Sequence, residues 1–270
     1  MTAARSFAVI GSSHLFGLIQ HYVEPMENGR FQPVWDAGTP MTAELPLDAP
    51  GWHGQLVLYN TPVGGPPPVL QERVLYIPPQ LTAVLGHIPA QADVVFSVMR
   101  GQEFAVATLV DDPSHADFIG DDGGFEPGRR WMSRLDALAW AREVAQPLLT
   151  THLALRQQFP RARIVHLPAP PPIQDEAYIR ANAESFGPLF AQHGVKPFAM
   201  RKRFYDLMYA ELNRQLAEHG VASLAPPPGS LTADGGLKAD HARGCLHGNQ
   251  LYAQGLAAQI REVLAHVASV

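Results

Sequence analysis

Two adjacent serines near the amino terminus lie where a nucleophile could be exposed. Ser12 and Ser13 follow the apolar run at residues 7–10 and Gly11, and a segment with helical periodicity begins after them. A serine on such a strand-to-helix turn lies at the positive end of the helix dipole, beside unpaired backbone N–H groups. The same position also suits a plain N-cap, in which the hydroxyl accepts from the first helical turn. With two serines, one can cap the helix while the other faces a site.

A histidine near the carboxyl terminus is the candidate base. His247 precedes a predicted terminal helix, and a loop there can bring its imidazole to the serine. A loop histidine without a partner is otherwise a solvated surface residue. Asp240 and His241 could join it in a metal cluster, but their spacing does not place three ligands on one helix face. We therefore expect no bound metal and no cofactor.

The elements that must position these residues alternate between strands and helices. The uniformly apolar run at 7–10 and the mainly apolar runs at 93–99 and 163–167 predict buried strands, and 221–224 predicts a short strand. Helical periodicity appears around 131–159, 204–216 and 250–267. This alternation predicts an α/β fold with a parallel sheet covered by helices on both faces. In such sheets ligands bind outside the carboxyl ends of the strands, where Ser12, Ser13 and Arg100 fall.

One stretch departs from this alternation. Residues 55–60 and 73–77 are predicted to pair as a β-hairpin across the proline-rich segment 61–68, which would make a β-rich insertion at about 31–80. Pro147 is predicted to kink or break the helix that contains it. With 46% hydrophobic residues, the 270-residue chain is expected to form a single domain over 1–270.

Composition excludes several functional classes. A net charge of −5 provides no basic field for nucleic acid. The single cysteine, Cys245, excludes an intramolecular disulfide framework and fits a reducing compartment. No apolar run is long enough for a membrane span, and the amino terminus lacks the pattern of a signal peptide, so a cytoplasmic location is expected. The chain also lacks the phosphate-loop, dinucleotide-binding, zinc-protease and α/β-hydrolase serine motifs.

The segments at the two ends of the chain together resemble the SGNH (GDSL-type) hydrolase superfamily. They are Phe-Ala-Val-Ile-Gly-Ser-Ser-His at 7–14 and His-Gly-Asn, followed by Tyr252, at 247–249. The resemblance implies a three-layer, flavodoxin-like α/β/α sandwich, a bacterial type of enzyme, Ser13 as nucleophile and His247 as base. It also implies an oxyanion hole formed by the Ser13 and Gly101 N–H groups with the Gln102 side-chain amide.

Three positions depart from the family pattern. Ser12 replaces an aspartate, Gln102 stands where the family has asparagine, and Gly244 stands three residues before His247, where the orienting aspartate belongs. A backbone carbonyl or Asp240 would then have to orient His247. Asp240, Arg100, Ser12 and Asn249 are thus the candidates for orienting the base or contacting substrate.

Three functions follow from these residues. The first is a serine esterase or carbohydrate deacetylase that acts on a small-molecule or carbohydrate ester through Ser13 and His247. The second is a fold relative with a decayed site that binds a glycan or acyl ligand, with aromatic residues of the insertion stacking on sugar rings; these are Trp35, Trp52, Tyr59 and Tyr76. The third is a transferase in surface-polysaccharide assembly, with Arg100 binding an anionic donor.

Overall fold

The computed structural model describes residues 5–23, 38–100, 108–112 and 116–269. The strands, in chain order, are β1 (Arg5–Gly11), β2 (Met41–Glu44), β3 (Trp52–Leu58), β4 (Val69–Gln71), β5 (Val74–Tyr76), β6 (Val94–Val98), β7 (Ala116–Asp117), β8 (Arg130–Trp131), β9 (Arg163–His166), β10 (Ala222–Ser223), β11 (Ala242–Arg243) and β12 (His247–Gly248). The α-helices are α1 (Phe16–Leu18), α2 (Thr61–Gly64), α3 (Pro79–Leu85), α4 (Arg134–Gln158), α5 (Glu176–Ala181), α6 (Gly187–His193), α7 (Phe198–Glu218) and α8 (Gln250–Ala268).

The main sheet has the order β10-β9-β6-β1-β3-β2. All neighbours are parallel except β2, which runs antiparallel to β3 at one edge. β1 lies between β3 and β6, with Gly11 paired to both Leu58 and Val98 at the carboxyl ends. The parallel strands therefore follow a flavodoxin-like order, and the crevice between the ends of β1 and β6 is the topological switch point where ligands bind in this class.

The side chains of β1 point alternately into two hydrophobic cores, one on each face of the sheet. Ala8 and Ile10 face a core closed by α3, α4 and α7. Phe7 and Val9 face a second core closed by the helical turns after β1 and by α8. Successive side chains of a strand point to opposite faces, so one buried strand supplies both cores. The predicted three-layer α/β/α sandwich is confirmed.

The predicted hairpin has different partners from those expected. Residues 55–58 belong to β3, which pairs with β1 in the main sheet, so their expected pairing with 73–77 is wrong. The hairpin instead joins β4 to β5 through Glu72 and Arg73, whose φ angles of 49° and 68° fit a two-residue turn. Leu56 and Val57 are fully buried, as in a central strand, whereas Val69 and Val74 are exposed. The single-domain assignment stays a prediction.

The predicted break at Pro147 is also absent, since α4 is one continuous helix. Pro147 lies on a partly exposed position, where water can satisfy the carbonyl that loses its N–H partner. The Thr151 hydroxyl donates to the Pro147 carbonyl at 2.7 Å. In the described part of the chain, no helix is both long and apolar enough to cross a bilayer.

Candidate active site

Ser13 lies directly beyond the carboxyl end of β1. Gly11 allows the approach of β6 there, because a Cβ on Gly11 would meet the Val98 side chain. The chain then turns into a short 3-10 helix, Ser13–Leu15, in which the Leu15 N–H donates to the Ser12 carbonyl at 2.9 Å. The buried Ser12 side chain makes no capping hydrogen bond to this turn. Ser12 thus shapes the turn through its backbone, and Ser13 carries the available hydroxyl.

His247 reaches Ser13 from the other end of the chain. It begins β12, a two-residue strand that pairs with β11, so Arg243 lies directly across from it. Asn249 then caps α8, because its Oδ1 accepts from the Leu251 N–H at 2.8 Å. The Ser13 Oγ and His247 Nε2 atoms are 2.8 Å apart. This distance is that of a hydrogen bond, and it is the contact that a nucleophile and its base require.

The surroundings of His247 favour its neutral form. Burial, together with the nearby Arg243 guanidinium, lowers the pKa of His247 to about 4. The His14 ring lies against it with 4.9 Å between ring centroids, and burial also places the pKa of His14 well below its usual range. A neutral imidazole that accepts the Ser13 hydroxyl on Nε2 carries its own proton on Nδ1. At neutral pH the His247 Nε2 atom can therefore accept a hydrogen bond from the Ser13 hydroxyl.

The Nδ1 side of His247 faces a residue that sequence reasoning missed. The Glu184 Oε2 atom lies 4.0 Å from Nδ1. Glu184 begins the short helix Glu184–Phe186 and belongs to no motif with His247. The available signal was indirect: Gly244 occupies the usual place of the acid, so an acid would have to come from elsewhere in the chain.

Asp240, the acid proposed from the sequence, pairs with a different histidine, His241. Its Oδ1 is 2.8 Å from the Nδ1 atom of His241, and its side chain is exposed. The Asp240 backbone carbonyl accepts from the Asn249 side-chain amide at 2.7 Å, so Asn249 ties the loop to the start of α8. Within the described ranges, no group of three His, Cys, Asp or Glu residues is arranged to hold a metal ion.

The remaining predicted site residues lie after β6. The Arg100 Nη2 atom donates to the Gly65 carbonyl at 2.5 Å, and Arg100 itself is buried. Arg100 therefore braces the loop that follows β3 against the end of β6, at the same sheet edge as Ser13. Gly101 and Gln102, the other predicted parts of the oxyanion hole, lie outside the described residues, and their role stays a prediction.

One cavity is lined by residues that adjoin Ser13 and His247 in the chain. His14 and Leu246, the chain neighbours of that pair, line it together with the proline wall Pro170–Pro172 and Tyr205. Among the residues that the structure describes, neither ring nitrogen of the buried His14 has a hydrogen-bond partner. Unpaired buried polar atoms are rare and costly in proteins. The cavity thus combines a largely apolar wall with the imidazole of His14.

The aromatic residues of the predicted insertion do not gather at this cavity. Trp52 starts β3 at the amino edge of the sheet, where its ring contacts Phe7 with 6.3 Å between centroids. Tyr59 is buried in the core, and Tyr76 is exposed on the hairpin. Trp35 lies outside the described residues. The three described aromatics therefore form no common sugar-stacking surface.

Comparison with known proteins finds similarity at the level of solved structures. No family model matches the chain, and no curated protein matches its sequence. A GDSL-like lipase from Bacteroides thetaiotaomicron is similar with a TM-score of 0.45 and 6% identity, over 99% of this chain and 91% of that one. A phospholipase A1 from Streptomyces albidoflavus is similar with a TM-score of 0.47 and 13% identity, over 96% of this chain and 100% of that one. A carbohydrate acetylesterase from Sinorhizobium meliloti is similar with a TM-score of 0.43 and 14% identity, over 97% of this chain and 99% of that one.

Proposed function

We propose that this protein is an SGNH-type serine hydrolase that cleaves esters, with Ser13 as nucleophile and His247 as general base. The observation that carries the proposal is the 2.8 Å contact between Ser13 Oγ and His247 Nε2 at the switch point of the sheet. The two residues are 234 positions apart in sequence, so only the fold brings them together. The substrate class that fits is a small-molecule or carbohydrate ester.

The reaction would proceed by acyl transfer. The Ser13 hydroxyl oxygen attacks the ester carbonyl carbon while its proton passes to His247 Nε2. The tetrahedral intermediate collapses, and the departing alkoxide takes that proton from Nε2. Water then attacks the acyl-serine ester with His247 again as base, which releases the acid and restores the serine.

Backbone geometry supports charge stabilisation at the same point. The 3-10 turn begins at Ser13, so the Ser13 N–H has no partner within the turn. An oxyanion that forms on the carbonyl attacked by Ser13 would lie beside this donor. One such donor is worth roughly 3 kcal/mol in a comparable hydrolase.

The other two functions gain less from the structure. A decayed site would need neither the hydrogen bond between His247 and the Ser13 hydroxyl nor the burial that keeps the His247 imidazole neutral. This protein has both. Anion binding by Arg100 would need its guanidinium turned to solvent, whereas it is buried against the Gly65 carbonyl. Ester hydrolysis is therefore the function that we propose.

The direct test is covalent labelling of the nucleophile. A fluorophosphonate probe should add to Ser13 in the purified protein, as located by peptide mass spectrometry. Hydrolysis of a p-nitrophenyl acetate ester should fall at least 10³-fold in Ser13→Ala and in His247→Ala, because loss of either partner removes the activated nucleophile.

A matched serine variant controls for general effects. Ser269→Ala, at the end of α8, should label and hydrolyse as wild type does. Absence of label on Ser13, together with equal ester turnover by wild type and Ser13→Ala, would reject the hydrolase and favour a binding protein.

A further inference from the structure

We infer that Glu184 is the positioning residue of this site, supplying from a separate segment the carboxylate that holds the His247 imidazole. This inference rests on the proposed function. Glu184 Oε2 is 4.0 Å from His247 Nδ1, about 1 Å beyond a hydrogen bond. Catalytic hydrogen bonds are commonly long before substrate binds and shorten in the complex. A carboxylate at Nδ1 fixes the tautomer whose Nε2 can accept the serine proton, and it stabilises the imidazolium that then forms.

Gly244 shows that the carboxylate occupies the space of the missing acid. A Cβ built on Gly244 would overlap the Glu184 carboxyl carbon and both of its oxygens. Position 244 is three residues before His247, where the family pattern that this chain resembles has its orienting aspartate. The glycine at 244 therefore leaves the space that the Glu184 carboxyl group occupies beside His247.

Flanking contacts hold the Glu184 segment against the His247 loop. The Tyr178 hydroxyl donates to the Ala242 carbonyl at 3.1 Å, and the Cys245 thiol lies 3.7 Å from the Ala183 carbonyl. These contacts lie on both sides of Gly244. Glu184 also keeps a φ of 50°, which is uncommon for a residue with a side chain and persists where the surroundings impose it.

Among the described residues, no other carboxylate competes for this position. Asp240 is paired with His241, and Glu184 is the carboxylate that lies within 4.0 Å of His247 Nδ1. The charged or titratable groups around the imidazole are Glu184, Arg243 across the β11–β12 ladder, and His14. Of these, Glu184 alone is an anion that can accept a hydrogen bond from the Nδ1–H group.

The test removes the carboxylate at position 184 and introduces one at position 244. Glu184→Ala should lower kcat for p-nitrophenyl acetate by 10²- to 10⁴-fold with little change in KM, since loss of the acid from a well-studied serine triad costs about 10⁴-fold. Gly244→Asp alone should also be impaired, because its side chain overlaps Glu184. The double variant Glu184→Ala/Gly244→Asp should recover at least tenfold over Glu184→Ala, since aspartate tolerates a positive φ better than most residues.

Chemical rescue separates positioning from folding. The Glu184 side chain is 48% exposed, so added formate can enter the space left in Glu184→Ala and restore part of kcat. Glu262→Gln, on the exposed face of α8, is the matched control and should leave kcat unchanged. Glu184→Gln keeps the side-chain volume and removes the negative charge, and it should also lower kcat. This variant replaces Glu184→Ala in the test if the alanine variant folds poorly.

The outcomes distinguish this inference from the proposed function. Wild-type turnover by Glu184→Ala, with Ser13→Ala inactive, would overturn the role of Glu184 and leave the hydrolase intact. A loss in Glu184→Ala that neither formate nor Gly244→Asp relieves would also overturn it, since a purely structural role predicts that result. Equal turnover by Ser13→Ala and wild type would instead reject the hydrolase itself.

Discussion

His14 illustrates how a single residue can cost stability at a site. Both of its ring nitrogens are buried without a partner among the described residues, in the lining of the cavity, and each such atom costs about 1–3 kcal/mol. We expect His14→Phe to keep the ring contact with His247 and to raise the unfolding temperature by about 2–4 °C for each kcal/mol regained.

The same substitution should weaken catalysis, because a ligand in the cavity loses a hydrogen-bonding partner. A loss of roughly tenfold in kcat/KM for an acetyl ester corresponds to one hydrogen bond. Thermal unfolding and steady-state kinetics on the same preparation measure both effects. A variant that is less stable than wild type, with unchanged kcat/KM, would contradict this role for His14.

Single residues also show how far a site can be predicted from sequence. Ser13 and His247 were predicted because each lies in a short local motif, and the fold brings them to 2.8 Å. Glu184 could not be predicted, because its approach to Gly244 depends on how the segment after α5 packs on the β11–β12 loop. Local spacing carries information about neighbours in the chain, whereas a relocated carboxylate is a tertiary feature.

At the scale of elements, the start of α8 and the loop carrying His247 form one unit through Asn249. Its Oδ1 caps the helix, and its amide donates to the Asp240 carbonyl at 2.7 Å. We expect Asn249→Ala to lower the unfolding free energy by about 1 kcal/mol, the usual value of an N-cap, and to reduce kcat because the loop is released. Urea unfolding and ester kinetics provide the two measurements.

Asn249→Asp separates the two roles of this residue. Aspartate caps as well as asparagine but has no amide to donate, so stability should stay near that of wild type while kcat falls. If Asn249→Asp retains full kcat, the contact with the Asp240 carbonyl does not position His247.

Elements were predictable where their burial is uniform along the strand. β1, β6 and β9 are buried over most of their length, and apolar residues dominate each of them. β3 is half-buried over its first residues and precedes a proline-rich segment, and it was therefore assigned to the wrong partner. Pairing joins residues far apart in sequence, and periodicity indicates a strand without indicating its neighbour.

At the scale of the whole molecule, buried histidines link stability to pH. His152 on α4 and His166 at the end of β9 contact each other, with 3.1 Å between His152 Nε2 and His166 Nδ1. Burial lowers the pKa of His152 to about 4 and that of His166 well below its usual range. His14 and His247 are shifted in the same direction. The folded protein thus keeps four imidazoles neutral where the unfolded chain would protonate them.

The sign of the resulting pH dependence follows from proton binding. Below about pH 6.5 the unfolded chain binds protons that the folded chain rejects, so the unfolding free energy decreases as pH falls toward 4. Each fully linked histidine contributes a slope of up to about 1.4 kcal/mol per pH unit. Urea unfolding between pH 7.5 and 5, above the range in which most carboxylates titrate, should therefore show a steadily falling midpoint. His53→Gln, at an exposed histidine, should leave the slope unchanged, and a midpoint independent of pH would show that these imidazoles are protonated without unfolding.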